Sequence, residues 1–163
     1  MRKYKGPLIL LNLVIVFLLF NLAVFKKEQT LKNGQLVLLE LAPKDPRSLM
    51  QGDYMQLNYA MSRMETEAPI PQKGYFVLRL DQDHIGTRMR VQAGKTPLSP
   101  GEILVHYKRK DEWSTYIGAE SYFFEEGKGE RLAKAKYGGL MVDKDGGSIL
   151  VGLYDEQYRL IRP

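Results

Sequence analysis

The sequence predicts a mainly β protein: an N-terminal transmembrane helix followed by an antiparallel β-barrel or sandwich-like ectodomain with one short helix. Three observations predict it. Residues 7–25 form an uncharged apolar run bracketed by basic residues. From residue 35 onward the apolar period changes from helical to strand-like. Turn signals then recur at short intervals to the C-terminus.

The elements follow in order. Residues 1–6 read as a short cytoplasmic tail, and Pro7–Phe25 (PLILLNLVIVFLLFNLAVF) as a signal-anchor. As a helix this run is about 28 Å long, close to the thickness of a bilayer hydrocarbon core. Only Asn12 and Asn21 interrupt it, on opposite faces, so it lacks the polar stripe of a soluble core helix. Each amide could bond a partner helix or its own backbone. The end of the run offers one small residue, Ala23, a poor match to a cleavage site, so the segment is expected to be retained. Local basic counts tie across the span. The short N-tail and the whole domain that follows favour an N-terminus inside and a domain outside.

Residues 26–34 (KKEQTLKNG) read as a polar linker, and residues 35–163 as the ectodomain. Within it, 35–41, 54–61, 75–80, 87–91, 103–108, 114–117, 140–142, 148–153 and 158–161 read as strands. The 54–61 run alternates, with Met55, Leu57, Tyr59 and Met61 on one face. The stretch EEGKGERLAKAKY, with acids first, lysines late and Gly138-Gly139 after it, predicts one short helix near 127–137. A faint internal echo joins Leu80–His84 (LDQDH) to Val142–Gly146 (VDKDG), and Tyr75 to Tyr137 at the same offset, as duplicated hairpins would.

Composition excludes several function classes. With no cysteine there are no disulfides, thiolate metal sites or thiol nucleophiles. The net charge of +5 resides wholly in residues 1–27, which hold Arg2, Lys3, Lys5, Lys26 and Lys27 and no acid. The remainder is charge-balanced, which argues against a nucleic-acid partner. Asp143-Lys144-Asp145-Gly146 looks like the start of a calcium loop, but position twelve, where such a loop needs an acid, is Tyr154. His84 and His106 lack ligand spacing, so no metal and no cofactor is expected. Most of the ten tyrosines read as strand residues, although a tyrosine-rich face could also stack a glycan or peptide. In outline, Ser48 after the span and Lys108 on a strand resemble membrane signal peptidases. The adjacent Ser-Met pair is missing, and Lys108-Arg109-Lys110 reads as a solvated strand end.

The segment with the most information is Ala42–Tyr59 (APKDPRSLMQGDYMQLNY). Asp45-Pro46 and Gly52-Asp53 each favour a bend, giving a compact loop in which Asp45, Arg47 and Asp53 can pair. GDYMQLNY resembles the GDYXXLXY signature, for which a family of bacterial membrane-anchored proteins is named. It does so through Gly52, Asp53, Tyr54, Leu57 and Tyr59, after a similar DPRSLMQ. Tyr122–Gly127 (YFFEEG) and Ala135–Gly138 (AKYG) are similar as well, so the resemblance covers most of residues 36–161. It implies a bacterial cell membrane and a multi-span membrane protein as partner, and it brings no catalytic residues.

Two readings of the signature stay open. In one, Gly52 allows a turn, Leu57 and Tyr59 build the core, and Asp53 caps the loop or pairs with Arg47. In the other, Asp45, Arg47 and Asp53 form a recognition surface. The expected function is a non-enzymatic binding or accessory protein at the lipid bilayer. The alternatives are a Ser48/Lys108 hydrolase and a stand-alone ligand-binding module.

Overall fold

The apolar run is helical, and the helix continues past the end of the run. In the computed structural model, which describes residues 5–42, 54–63, 70–109, 111, 114–125, 127 and 129–162, α1 spans Lys5–Asn33. It is long and apolar enough to cross a membrane, and its apolar side chains are exposed on every side. Asn21 is satisfied within the helix, its amide donating to the Phe17 carbonyl at 2.8 Å.

The expected linker is a correction. KKEQTLKN contains no helix breaker, and Glu28–Lys32 and Gln29–Asn33 add contacts one turn apart. Residues 26–33 therefore extend α1 by about two turns. The helix stops at Gly34, whose N–H donates to the Thr30 carbonyl at 2.9 Å. A Cβ on Gly34 would lie 2.4 Å from that oxygen and 3.1 Å from the Val142 carbonyl. Only glycine lets the first strand leave the helix so abruptly.

The strands are β1 (Gln35–Glu40), β2 (Tyr54–Gln56), β3 (Lys73–Leu80), β4 (Gly86–Gln92), β5 (Glu102–Arg109), β6 (Thr115–Tyr116), β7 (Ser121–Phe123), β8 (Tyr137–Val142) and β9 (Ser148–Tyr154). A one-turn helix, α2 (Gly129–Leu132), lies between β7 and β8. The strands pair antiparallel in three groups, ordered β1-β8-β9, β4-β3-β5-β6 and β2-β7. Among the described residues no group closes into a ring, so the fold is sandwich-like rather than a barrel. The two larger sheets share one core. Val37, Leu39, Leu140 and Leu153 come from one, and Phe76, Leu78, Val105 and Tyr107 from the other. Phe76 and Tyr107 stack with ring centres 4.6 Å apart.

Several expected boundaries move for identifiable reasons. The 54–61 alternation is real, since Met55, Leu57 and Tyr59 are buried while Gln56 and Asn58 are exposed. Its hydrogen bonds are divided, however. Residues 54–56 pair with β7, Tyr59 bridges to Leu41, and Ala60–Ser62 form a 3₁₀ turn. The sequence marks β7 only through its family-like motif, because three residues are too few to show a period. The predicted helix shrinks to α2 because Gly127 sits at φ 84° before it and Lys136 after it already donates to Tyr154 and accepts from Leu41. Residues 158–161 are no strand. Asp155 folds the chain back, leaving one bridge from Tyr154 to Leu160.

The internal echo has a structural counterpart. The β3–β4 and β8–β9 hairpins share the same pairing at an offset of 62 residues, from Tyr75↔Gln92 and Tyr137↔Tyr154 to Leu80↔Gly86 and Val142↔Ser148. Both carry a bulge at the corresponding step, after Val77 and after Gly139. Their turns match too. Asp81 Oδ1 accepts the N–H groups of Asp83 and Ile85, and Asp143 Oδ1 those of Asp145 and Gly147. The fourth turn residue has positive φ in each, His84 at 63° and Gly146 at 85°.

The chain is thus two tandem strand-plus-hairpin units with exchanged first strands. β1 of the first unit pairs with β8 of the second, and β5 of the second with β3 of the first. β2, from between β1 and the first hairpin, pairs with β7, from between β5 and the second.

One polar cluster braces the loop between β4 and β5. Arg90 donates to both oxygens of Glu102, at 2.6 and 2.8 Å, and to the Pro97 carbonyl at 3.0 Å. Glu102 also accepts the Ser99 N–H at 2.9 Å. The Arg90 hydrogen bond first, and then that of Ser99, pull the Glu102 carboxyl down to about 2 from 4.5. A depressed carboxylate contributes its full stability above 4.5 and loses it as pH falls towards 2. Acid titration of thermal stability should therefore fall more steeply over that window for the native chain than for Glu102→Gln. Parallel acid profiles would show that the pair does not couple to folding.

Candidate functional site

The candidate site forms around the sequence signature, so its residues come first. Asp45, Arg47, Gly52 and Asp53 lie outside the described residues, as does Ser48. Tyr54 stands opposite Phe123 in the β2–β7 ribbon, and Met55 opposite Tyr122. Leu57 and Tyr59 are in the core, 2% and 1% exposed. The placement matches the expectation that they build the core face.

Tyr59 is held from two sides. Its hydroxyl donates to the Ala119 carbonyl at 2.7 Å. Its ring lies on Gly138, where a Cβ would come within 2.9 Å of the ring carbons. Burial, and then the nearby Glu120 carboxylate, push the Tyr59 phenol far above its ordinary pKa, so it stays a neutral donor. Leu57 N–H donates to the Glu120 carbonyl at 2.7 Å. The Glu120 carboxylate turns back to accept the N–H groups of Ile117 and Gly118. Sequence reasoning missed Glu120. Its signal is an acid two residues after Gly118 in a loop, where the side chain can reach back to free backbone donors.

The two stretches of family likeness, far apart in sequence, therefore meet. Tyr122 pairs with Met55 of the signature strand, and Gly138 receives the signature tyrosine. Clefts open on both sides of residues 56–58. One, of about 210 Å³, is lined by Gln56, Asn58, Ser62, Arg63, Thr115 and Glu120 among others. The other, of about 240 Å³, is lined by Leu41, Met55, Leu57, Leu132 and Lys136 among others. In the first, the Ser62 hydroxyl is buried without a hydrogen-bond partner among the described residues. That cleft can accept a small neutral or polar group by hydrogen bonding. Glu120, the acid that lines it, is taken up by the backbone N–H groups of Ile117 and Gly118.

The other candidates separate. Lys108 is exposed on β5, opposite Lys73 and Tyr116, at the solvated edge of the strand. His106 packs edge-on against Tyr75 at 5.4 Å, while His84 sits in the β3–β4 turn. Among the described residues, no group of three or more His, Asp or Glu side chains is arranged to hold a metal.

Asp143 is occupied by its turn through Oδ1 and by α1 through Oδ2, which accepts the Thr30 hydroxyl at 2.9 Å. Thr30 was another residue that sequence reasoning missed. It is 4% exposed in a helix whose other described side chains face outward, and nothing in its neighbours marks it.

No curated protein and no solved structure matches the chain. A family model does match it, that of the GDYXXLXY protein, over residues 16–153. That span includes the second half of the apolar helix, the signature strand and both hairpins, so the chain belongs to the GDYXXLXY family.

Proposed function

We propose that this chain is a membrane-anchored extracytoplasmic binding or accessory protein that acts beside an integral membrane partner. In this reading α1 is a retained single-pass signal-anchor with its N-terminus in the cytoplasm. The observation that carries the proposal is the junction. α1 runs unbroken into the domain and is clasped to the β8–β9 turn by Thr30 and Asp143. A domain held directly against its anchor samples few orientations, which favours contact with a neighbour in the same membrane over capture of distant ligands.

Crosslinking in native membranes, read by mass spectrometry for the native chain and for Ser48→Ala, tests this. A reproducible multi-span partner, retained by Ser48→Ala, is expected. If Ser48→Ala instead accumulates an uncleaved membrane substrate with its fold intact, the accessory reading fails and a hydrolase replaces it.

A further inference from the structure

The junction sets the height of the ectodomain above the membrane. The apolar run ends at Phe25 and Thr30 lies five residues on, so the Thr30–Asp143 contact stands about 7.5 Å beyond the hydrocarbon. A headgroup layer is roughly 5–8 Å deep. The β8–β9 turn therefore reaches down to headgroup level beside the helix. One further contact marks this end of the domain. Lys95 Nζ bonds Asp145 Oδ1 at 2.6 Å, which brings the loop after β4 to the same turn. The Lys95 hydrogen bond and charge, with a further contribution from Lys26, hold the Asp145 carboxyl below its usual range. Lys26 directly follows the apolar run, so the turn lies within electrostatic reach of the first residue beyond the span.

We propose that the ectodomain rests on the membrane its own anchor crosses. The β8–β9 turn lies in the headgroup layer, and Lys144, with Lys26 and Lys27, faces anionic lipid headgroups. This rests on the reading of α1 as a span. The charges fit such a surface. The acids of the turn are engaged, Asp143 by Thr30 and Asp145 by Lys95, while Lys144 at its tip is exposed. Unengaged lysines beside a helix that enters lipid are drawn to phosphate groups within a Debye length. The opposite end of the same sheet carries the Asp155–Arg159 turn, separated by the seven residues of β9, or about 23 Å.

The absence of cysteine makes the test direct. Phe17→Cys, Lys144→Cys and Gln157→Cys are each labelled with one fluorophore in the full chain. Each is reconstituted into vesicles of phosphatidylcholine and phosphatidylglycerol, with nitroxide quenchers either on the headgroup or in the acyl chain. The Phe17 label should be quenched by the acyl-chain nitroxide. The Lys144 label should be quenched by the headgroup nitroxide several-fold more than the Gln157 label. No acyl-chain quenching at Phe17 would overturn the anchor reading, and this proposal with it. Quenching at Phe17, with Lys144 no more quenched than Gln157, would overturn the proposal and leave the anchor standing.

Discussion

Tyr59→Ala is expected to destabilise the domain by about 3–5 kcal/mol, the range for deleting a fully buried aromatic side chain. The ring fills the space above Gly138 and its hydroxyl satisfies the Ala119 carbonyl, so truncation opens a cavity and strands an acceptor together. Tyr59→Phe keeps the ring and removes only the hydroxyl, and should cost about 1–3 kcal/mol. Thermal melts of the full chain in detergent, followed by near-ultraviolet circular dichroism, give both values. A Tyr59→Ala melt that overlays the native one would mean that the signature tyrosine is not a structural anchor. Its exclusion from water would then need a functional explanation.

Gly34→Ala should have an effect of comparable kind at the other end of the domain. The new Cβ would sit 2.4 Å from the Thr30 carbonyl, a backbone atom that cannot swing aside. Either the last turn of α1 unwinds or the Gln35↔Val142 end of the β1–β8 ladder opens. The expected cost is about 1–3 kcal/mol. It should appear as faster amide exchange at Leu36 and Val37, whose strand begins at the junction. Gly6→Ala is the matched control. Its Cβ meets nothing within 4 Å, so exchange at Leu36 and Val37 should be unchanged. Equal exchange in the two variants would show that the junction tolerates a side chain, and would weaken the case for a domain held rigidly to its anchor.

Both predictions concern residues whose part in the fold depends on what lies opposite them. The sequence was informative wherever a property is local. Nineteen uncharged residues cannot be mistaken for a surface helix, and alternation marked Met55, Leu57 and Tyr59 as inward-facing before any partner was known. The D-x-D turns were legible because an aspartate bonding backbone two and four residues ahead is a property of the turn itself.

Pairing was not legible. Three residues of β7 carry no period, and β1 could have joined either hairpin, since both present equivalent free edges to an apolar strand. The pairing of β1 with the second hairpin was settled by burial across more than a hundred residues of separation, as in Gln35↔Val142.

The KKEQTLKN segment shows the same division. Its composition suits a helix and a solvated linker equally, and the hydrogen bond from Thr30 to Asp143, 113 residues away, helps hold it as a helix. The sequence by itself determined the apolar helix, the β class and the inward face of the signature. Only the tertiary structure decided which strands meet, and that the apolar helix runs unbroken to the domain. Those outcomes depend on contacts that have no energy until distant parts of the chain are brought together.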